Sequence, residues 1–142
     1  MTREGAVYKI DTRLRPSGNQ GPLVTSLAAF QRYHHESAQP WERQAMTKAR
    51  AVCGATEFID QLQRIISQLA FMRPVPVNLQ GEIYRLRKRM EEESGRERDD
   101  RFNIKTGRGG MVDVEFITQY LQLLHAGRFE SLRTQNTVDS VS

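Results

Sequence analysis

The stretch "TEFIDQLQRIISQLAFM" (Thr56–Met72), followed at once by "RPVP", limits what this chain can fold into more than any other. Phe58, Leu62, Ile65, Ile66 and Leu69 recur at the spacing of one helix face, which predicts an amphipathic helix that needs covering. Pro74 and Pro76 then stop it, because proline lacks the amide proton and its ring collides with the preceding turn.

Most of the chain downstream of Ser26 has the same helical character. Ser26 is a natural N-cap for "LAAFQRYHHESA", and Pro40 suits the first turn of "PWERQAMTKARAV", which Gly54 ends. Asn78 caps "LQGEIYRLRKRMEEES", in which Gly81 is a weak point. "RFNIKTGRGG" breaks the pattern, and "MVDVEFITQYLQLLHAG" resumes it with Val112, Phe116, Ile117, Tyr120, Leu121 and Leu124 as a broad apolar stripe and Gly127 as a stop. The closing "TVDSVS" has the look of a cut-off element.

Only the beginning departs from this. From Val7 to Leu14 the chain alternates, with Tyr8, Ile10, Thr12 and Leu14 on one side and Lys9, Asp11, Arg13 and Arg15 on the other, the period-two signature of a half-buried strand. "RPSGNQG" then supplies turn residues, and "PLVTS" is a candidate return strand. The predicted fold class is therefore mostly α with a small β component: a short strand or hairpin followed by a bundle of about five helices.

At 142 residues there is room for one domain or two small subdomains. No run approaches the roughly 18 apolar residues of a membrane span. The opening residues lack a signal-peptide apolar core, and Cys53 stands alone, so a cytoplasmic, reducing location is expected. Residues 1–50 hold eight Lys/Arg against four Asp/Glu, whereas residues 51–142 hold thirteen of each, so the net charge of +4 is all N-terminal. That modest excess suits a nucleotide phosphate better than a nucleic acid. Glu82 to Arg101 carries seven bases and seven acids, which fits a solvated helix laced with ion pairs.

Two segments carry residue types that do chemistry. Asp11 has Lys9 and Arg13 two residues away on either side, with Arg15 beyond. Neighbouring cations keep a carboxylate ionised, so it can hold Mg²⁺ or accept a proton while the arginines grip phosphate oxygens; a surface strand with internally paired charges is the alternative. One carboxylate does not make a two-metal site, and the other acids are poorly placed to help, Asp113 and Glu115 facing apart on one helix. The second segment is "KTGRGG", in which Lys105, Gly109 and Gly110 lead into a helix, either as an anion cradle or as a tight turn. His34 and His35 are adjacent on one helix and cannot grip one metal ion as an i, i+4 pair does. Cys53 reads as a small core residue, and Phe30, Tyr33 and Trp41 as contacts between helices.

Taken in order, "YKIDTRLRPSGNQGPLVTS", "WERQAMTKARAVCG" and "RFNIKTGRGGMVDVEFITQYLQLL" closely resemble the glutamate-ammonia ligase adenylyltransferase family, from about Gly5 to Leu132. The resemblance implies a nucleotidyltransferase fold of the polymerase-β type in which two aspartates of a Gly-Ser motif and a third carboxylate of a "DxRLRP" motif hold the metal. Asp11 matches the third; the Gly-Ser motif is missing from this sequence. The chain is accordingly expected to be a fragment, inactive alone, with residues 1–55 the end of the nucleotidyltransferase domain and 56–142 the helical domain after it.

The family enzyme has one half that adds AMP from ATP to a tyrosine of glutamine synthetase and another that removes it by phosphorolysis. "RLRPSG", "LVTS" and "DVEFITQYL" look more like the adenylylating half, whereas "KTGRGG" leans toward the other. By the same resemblance Asp11 is the catalytic and metal-binding residue. Arg13 and Arg15 neutralise phosphate charge or pin the strand, and Lys105, Gly109 and Gly110 open the helical region, binding phosphate or packing against the catalytic module. The cofactor implied is Mg²⁺ with ATP as substrate. The partners implied are glutamine synthetase and a PII signal protein, with neither nucleic acid nor membrane. A helical docking or regulatory module that binds a protein partner is the competing expectation.

Overall fold

The computed structural model describes residues 10–94 and 103–141, and six α-helices with two short 3-10 turns account for their regular structure. The helices are α1 (Leu27–Glu36), α2 (Pro40–Met46), α3 (Thr56–Phe71), α4 (Leu79–Ser94), α5 (Met111–His125) and α6 (Thr137–Val141). The chain divides into two compact units, Met1–Ala38 and Gln39–Ser142.

In the first unit α1 starts where expected: the Ser26 hydroxyl accepts the Ala29 N–H at 3.2 Å. Along that helix Phe30 and Tyr33 both lie against the His34 ring, with centroids 4.5 and 5.3 Å away. The expected hairpin is corrected here. Among the described residues there is no strand, Ile10 and Leu14 are 83% and 70% exposed, and Leu23 and Val24 of the supposed return strand are equally bare. A strand needs a ladder partner to satisfy its amides, and none of the described residues offers one. Side-chain to main-chain bonds curl residues 11–21 into a turn instead. The remainder of the predicted strand, Val7–Lys9, lies outside the described residues.

The second unit is the helical bundle. In α3 the C-terminal part of the predicted face is inside, with Ile65, Ile66 and Leu69 buried beside Ala70 and Phe71, whereas Leu62 is half-buried and Phe58, in the first turn, is 45% exposed. A further buried cluster joins Leu79 and Ile83 of α4 to Leu123 of α5, and Phe116, Tyr120 and Leu124 pack against it. Helix α2 is shorter than the expected run to Val52. The amides of Thr47, Lys48 and Ala49 turn back to carbonyls three residues earlier, tightening the end of the helix, and the Thr47 hydroxyl donates to Gln44 O at 2.8 Å. The Ala51 N–H is then taken by Gln63 Oε1 of α3 at 3.2 Å. Cys53, on this connection, is exposed and not a core residue, because the helix that would have buried it has already ended.

Polar side chains also tie the bundle together. Arg43 of α2 is only 7% exposed and donates to the end of α3: Nε to Ala70 O at 3.0 Å, Nη2 to Arg73 O at 2.7 Å and Nη1 to Pro74 O at 2.6 Å. Carbonyls at a helix C-terminus lack intrahelical partners, and this guanidinium supplies them from another helix. Gln44 and Gln119 form a buried amide pair at 2.8 Å between α2 and α5. The expected ion-pair lacing of α4 is present, with Arg85 paired to Glu82 and Lys88 to Glu91. The part of that charged stretch from residue 95 to 101 lies outside the described residues.

Candidate functional site

Asp11 is held in a turn by its own neighbour. Its Oδ1 accepts the Arg13 backbone N–H at 3.0 Å, closing a loop two residues long, and the Arg13 guanidinium lies along the carboxylate with Nε 2.9 Å from Oδ1 and Nη2 2.6 Å from Oδ2. The hydrogen bond and then the charge of Asp11 raise the Arg13 pKa above its ordinary value. Both side chains remain exposed, at 55% for Asp11 and 77% for Arg13. Arg15 shapes the following loop: its guanidinium donates to Thr12 O, to Gly21 O at 3.3 Å and to Asn19 O at 3.4 Å. Asp11 and Arg13 thus form one ionic cluster, while Arg15 acts on the main chain.

Taken alone, the described residues do not fit a resident Mg²⁺. Among them no three His, Cys, Asp or Glu side chains converge, and both Asp11 oxygens are engaged by a guanidinium. A hard divalent cation that keeps several oxygen ligands requires more carboxylates than this segment supplies.

The glycine loop is a folded object in its own right. Asn103 Oδ1 accepts the amides of Lys105 and Thr106 at 3.1 and 3.0 Å, and the loop carbonyls of Ile104 and Lys105 accept the first amides of α5, Met111 N at 2.9 Å and Val112 N at 3.0 Å. The Gly109 amide donates to Asp113 Oδ2 at 2.5 Å. Arg87 of α4 closes the structure from the other side, pairing through Nε with Asp113 Oδ1 and donating through Nη2 to Thr106 O and Gly107 O, both at 3.1 Å. Lys105 and Gly109 are exposed and Gly110 is buried. The loop belongs to the second unit and Asp11 to the first.

The residues that organise this loop, Arg87 and Asp113, are absent from the sequence-derived candidates. Asp113 sits at the third position of α5, where an acidic side chain reaches back to amides before the helix, and that local signal was available. Arg87 lies 26 residues earlier in a charge-balanced helix, and nothing local marks it. Between α4 and α5 the same pair flanks a groove of about 240 Å³ walled by Ile83, Tyr84, Phe116, Ile117 and Tyr120.

Gly110 has no room for a side chain: a Cβ there would lie 2.6 Å from Ile104 O, 2.9 Å from Gly107 O and 3.1 Å from Lys105 O. All three are main-chain atoms, so relief requires moving the loop. Gly110→Ala is expected to destabilise the bundle by about 2 kcal/mol, in the range of overpacked sites, measured by urea unfolding. Gly109, at φ +77° with open space around it, is expected to cost about 1 kcal/mol on the same change, from backbone conformation alone.

The Arg87 hydrogen bond lowers the Asp113 pKa below its ordinary value of 3.8, with the Gly109 amide and the charges of Arg87 and Arg108 acting in the same direction and burial opposing them. Because the folded carboxyl binds its proton more weakly than the unfolded one, this contribution is complete above pH 3.8 and disappears as pH falls through the lowered folded value. Asp113→Asn is therefore expected to be less stable than the parent at pH 6, with the difference shrinking below pH 4. Parallel urea titrations at several pH values check it, and a constant gap would refute it.

Comparison with known proteins places these segments in context. A family model described as glutamate-ammonia ligase adenylyltransferase matches residues 1–65, and one described as GlnD PII-uridylyltransferase matches residues 84–141. The bifunctional glutamine synthetase adenylyltransferase/adenylyl-removing enzyme of Bordetella bronchiseptica is 44% identical over 126 residues, covering 89% of this chain and 13% of the relative. Its namesake from Neisseria meningitidis serogroup B is 41% identical over 131 residues, with 92% and 14% covered. That of Rhodopseudomonas palustris is 34% identical over 140 residues, with 99% and 14% covered. The chain spans only about one seventh of the length of these curated relatives.

Proposed function

The chain belongs to the glutamate-ammonia ligase adenylyltransferase family, and on that premise we propose that it is part of an enzyme that transfers AMP from ATP to a tyrosine of glutamine synthetase. The similarity of 88–99% of the chain to enzymes named for adding and removing adenylyl groups carries this reading. Asp11, in "DTRLRP", supplies one carboxylate to Mg²⁺ in the intact protein, the remaining ligands coming from residues outside this sequence. A bound magnesium ion there would neutralise phosphate charge during nucleotidyl transfer.

Arg13 and Arg15 lie beside the phosphates in this reading, and Lys105 with the Gly109–Gly110 turn offers a second anion contact. Of the loop groups, the Lys105 side chain is the better placed, because the Gly109 amide already serves Asp113. Residues 1–55 close the nucleotidyltransferase domain and 56–142 form the helical domain that follows it in the sequence. "RLRPSG", "LVTS" and "DVEFITQYL" favour the adenylylating half over the phosphorolytic one. A PII-type signal protein is the expected regulatory partner, and the isolated 142 residues are inactive.

The test is the fate of a label. Intact protein given ATP labelled at the α-phosphate is expected to label glutamine synthetase, and the isolated chain to label nothing. Phosphate-dependent removal of the adenylyl group, released as ADP, that depends on this segment, with no dependence in the forward transfer, would assign the segment to the opposite half. Transfer by the isolated chain would overturn the claim that it is incomplete.

A further inference from the structure

We infer that residues 130–141 form a strap that detaches from the bundle as a unit while helices α2 to α5 stay folded. Not one residue in this stretch is buried, and Val138 and Val141 of α6 point away from the core, 67% and 65% exposed. Directional polar bonds hold the segment instead.

The principal anchor is Gln122, a residue of α5 that is 1% exposed. Its Nε2 is shared among Leu132 O at 2.8 Å, Thr134 O at 2.8 Å and Ser140 Oγ at 2.9 Å. Lys48, just beyond α2, adds a second anchor through Gln135 O at 2.9 Å and Thr137 Oγ1 at 2.5 Å. At the start of the strap Arg133 Nε donates to Ala126 O at 2.9 Å, closing the end of α5.

Such attachments differ in kind from apolar burial. Protein–protein hydrogen bonds broken by opening are replaced by bonds to water, whereas uncovering apolar core has no such replacement. Gln122 makes the exchange easier still, because its Oε1 is buried without a partner in the closed form and gains one on hydration. The acceptors facing Lys48 and Gln122 are neutral carbonyls and hydroxyls, so salt should affect the clasp little. Segments held in this way occupy the low-stability end of a fold and open without global unfolding.

Amide hydrogen exchange on the 142-residue chain tests the inference. The hydrogen-bonded amides of Leu132, Arg133 and Ser140 are expected to exchange at least about tenfold faster than those in the middle of α5. Gln122→Leu keeps the buried volume, removes all three bonds, and should accelerate the strap about tenfold more with α5 unchanged. Equal protection of strap and α5 in the parent chain would overturn the inference. Should Gln122→Leu loosen α5 as well, Lys48→Met decides: faster exchange confined to 130–141 supports the strap, and unchanged exchange there refutes it.

Discussion

Asp11→Asn in the intact protein is expected to lower AMP transfer to glutamine synthetase by about a hundredfold or more, the scale on which a single electrostatic partner acts in an enclosed site. The substitution is well suited to the question because it separates charge from shape. Asparagine keeps an oxygen at the position where Oδ1 accepts the Arg13 amide, so the turn closes as before. What disappears is the negative charge, with it the ionic grip on the Arg13 guanidinium and the capacity to serve as a metal ligand of full strength. Both residues are exposed, so folding should be unaffected, and matched urea curves for parent and variant establish that. Undiminished transfer would show that Asp11 is no more than one half of a surface ion pair. Measuring removal of AMP alongside its addition also identifies the half in which the residue works.

Arg43→Met is expected to cost about 3 kcal/mol of stability, read from denaturant unfolding of the 142-residue chain. Methionine preserves much of the length and apolar bulk of the stem, so cavity formation contributes little. The loss comes from the carbonyls of Ala70, Arg73 and Pro74, which all depend on one guanidinium. Leaving a buried acceptor unpaired costs about 1–3 kcal/mol, and water reaching the outer two carbonyls brings the sum down. Some cost is also removed, because burial, with the charge of Arg73 second, pushes the Arg43 pKa down to about 10. Below that pH the group is charged in both states and carries this penalty throughout; above it the folded chain releases the proton first, so this group's contribution improves as pH rises from about 10 toward the ordinary arginine range. Arg43→Lys should recover only part of the loss, since one ammonium group cannot reproduce the planar fork that reaches three acceptors. A loss below about 0.5 kcal/mol, the scatter of surface substitutions, would mean that the α3 end is satisfied by solvent.

What was legible in the sequence was local. The Ser26 cap, Pro40 at a first turn, the Ile65–Ile66–Leu69 face and the stop before Pro74 each rest on residues within one or two turns of each other, and the structure has them all. The misplaced elements depended on partners that sequence spacing does not reveal. Alternation from Val7 to Leu14 describes what a strand would look like in a sheet, yet no ladder partner exists among the described residues and Arg13 and Arg15 draw the backbone into a turn. The end of α2 is set by Thr47 and by Gln63 sixteen residues later, which defeats a rule that looks for the next glycine. The "KTGRGG" loop was recognisable as a special turn before a helix. Its dependence on Arg87 and Asp113 was not, because that pair forms only when α4 lies beside α5.

The early end of α2 leaves this polypeptide with a built-in optical ruler. Its sole thiol, Cys53, is exposed on the connection to α3, and its sole indole, Trp41, lies at the start of α2 on the other side of Arg43. A dye coupled to the sulfur through a maleimide would accept energy from the tryptophan with no engineered mutation, and the transfer efficiency would follow the distance between the start of α2 and the connection that leads into α3. Unravelling of α2 and its connection could then be watched in real time, in a mixing experiment, as a change of colour.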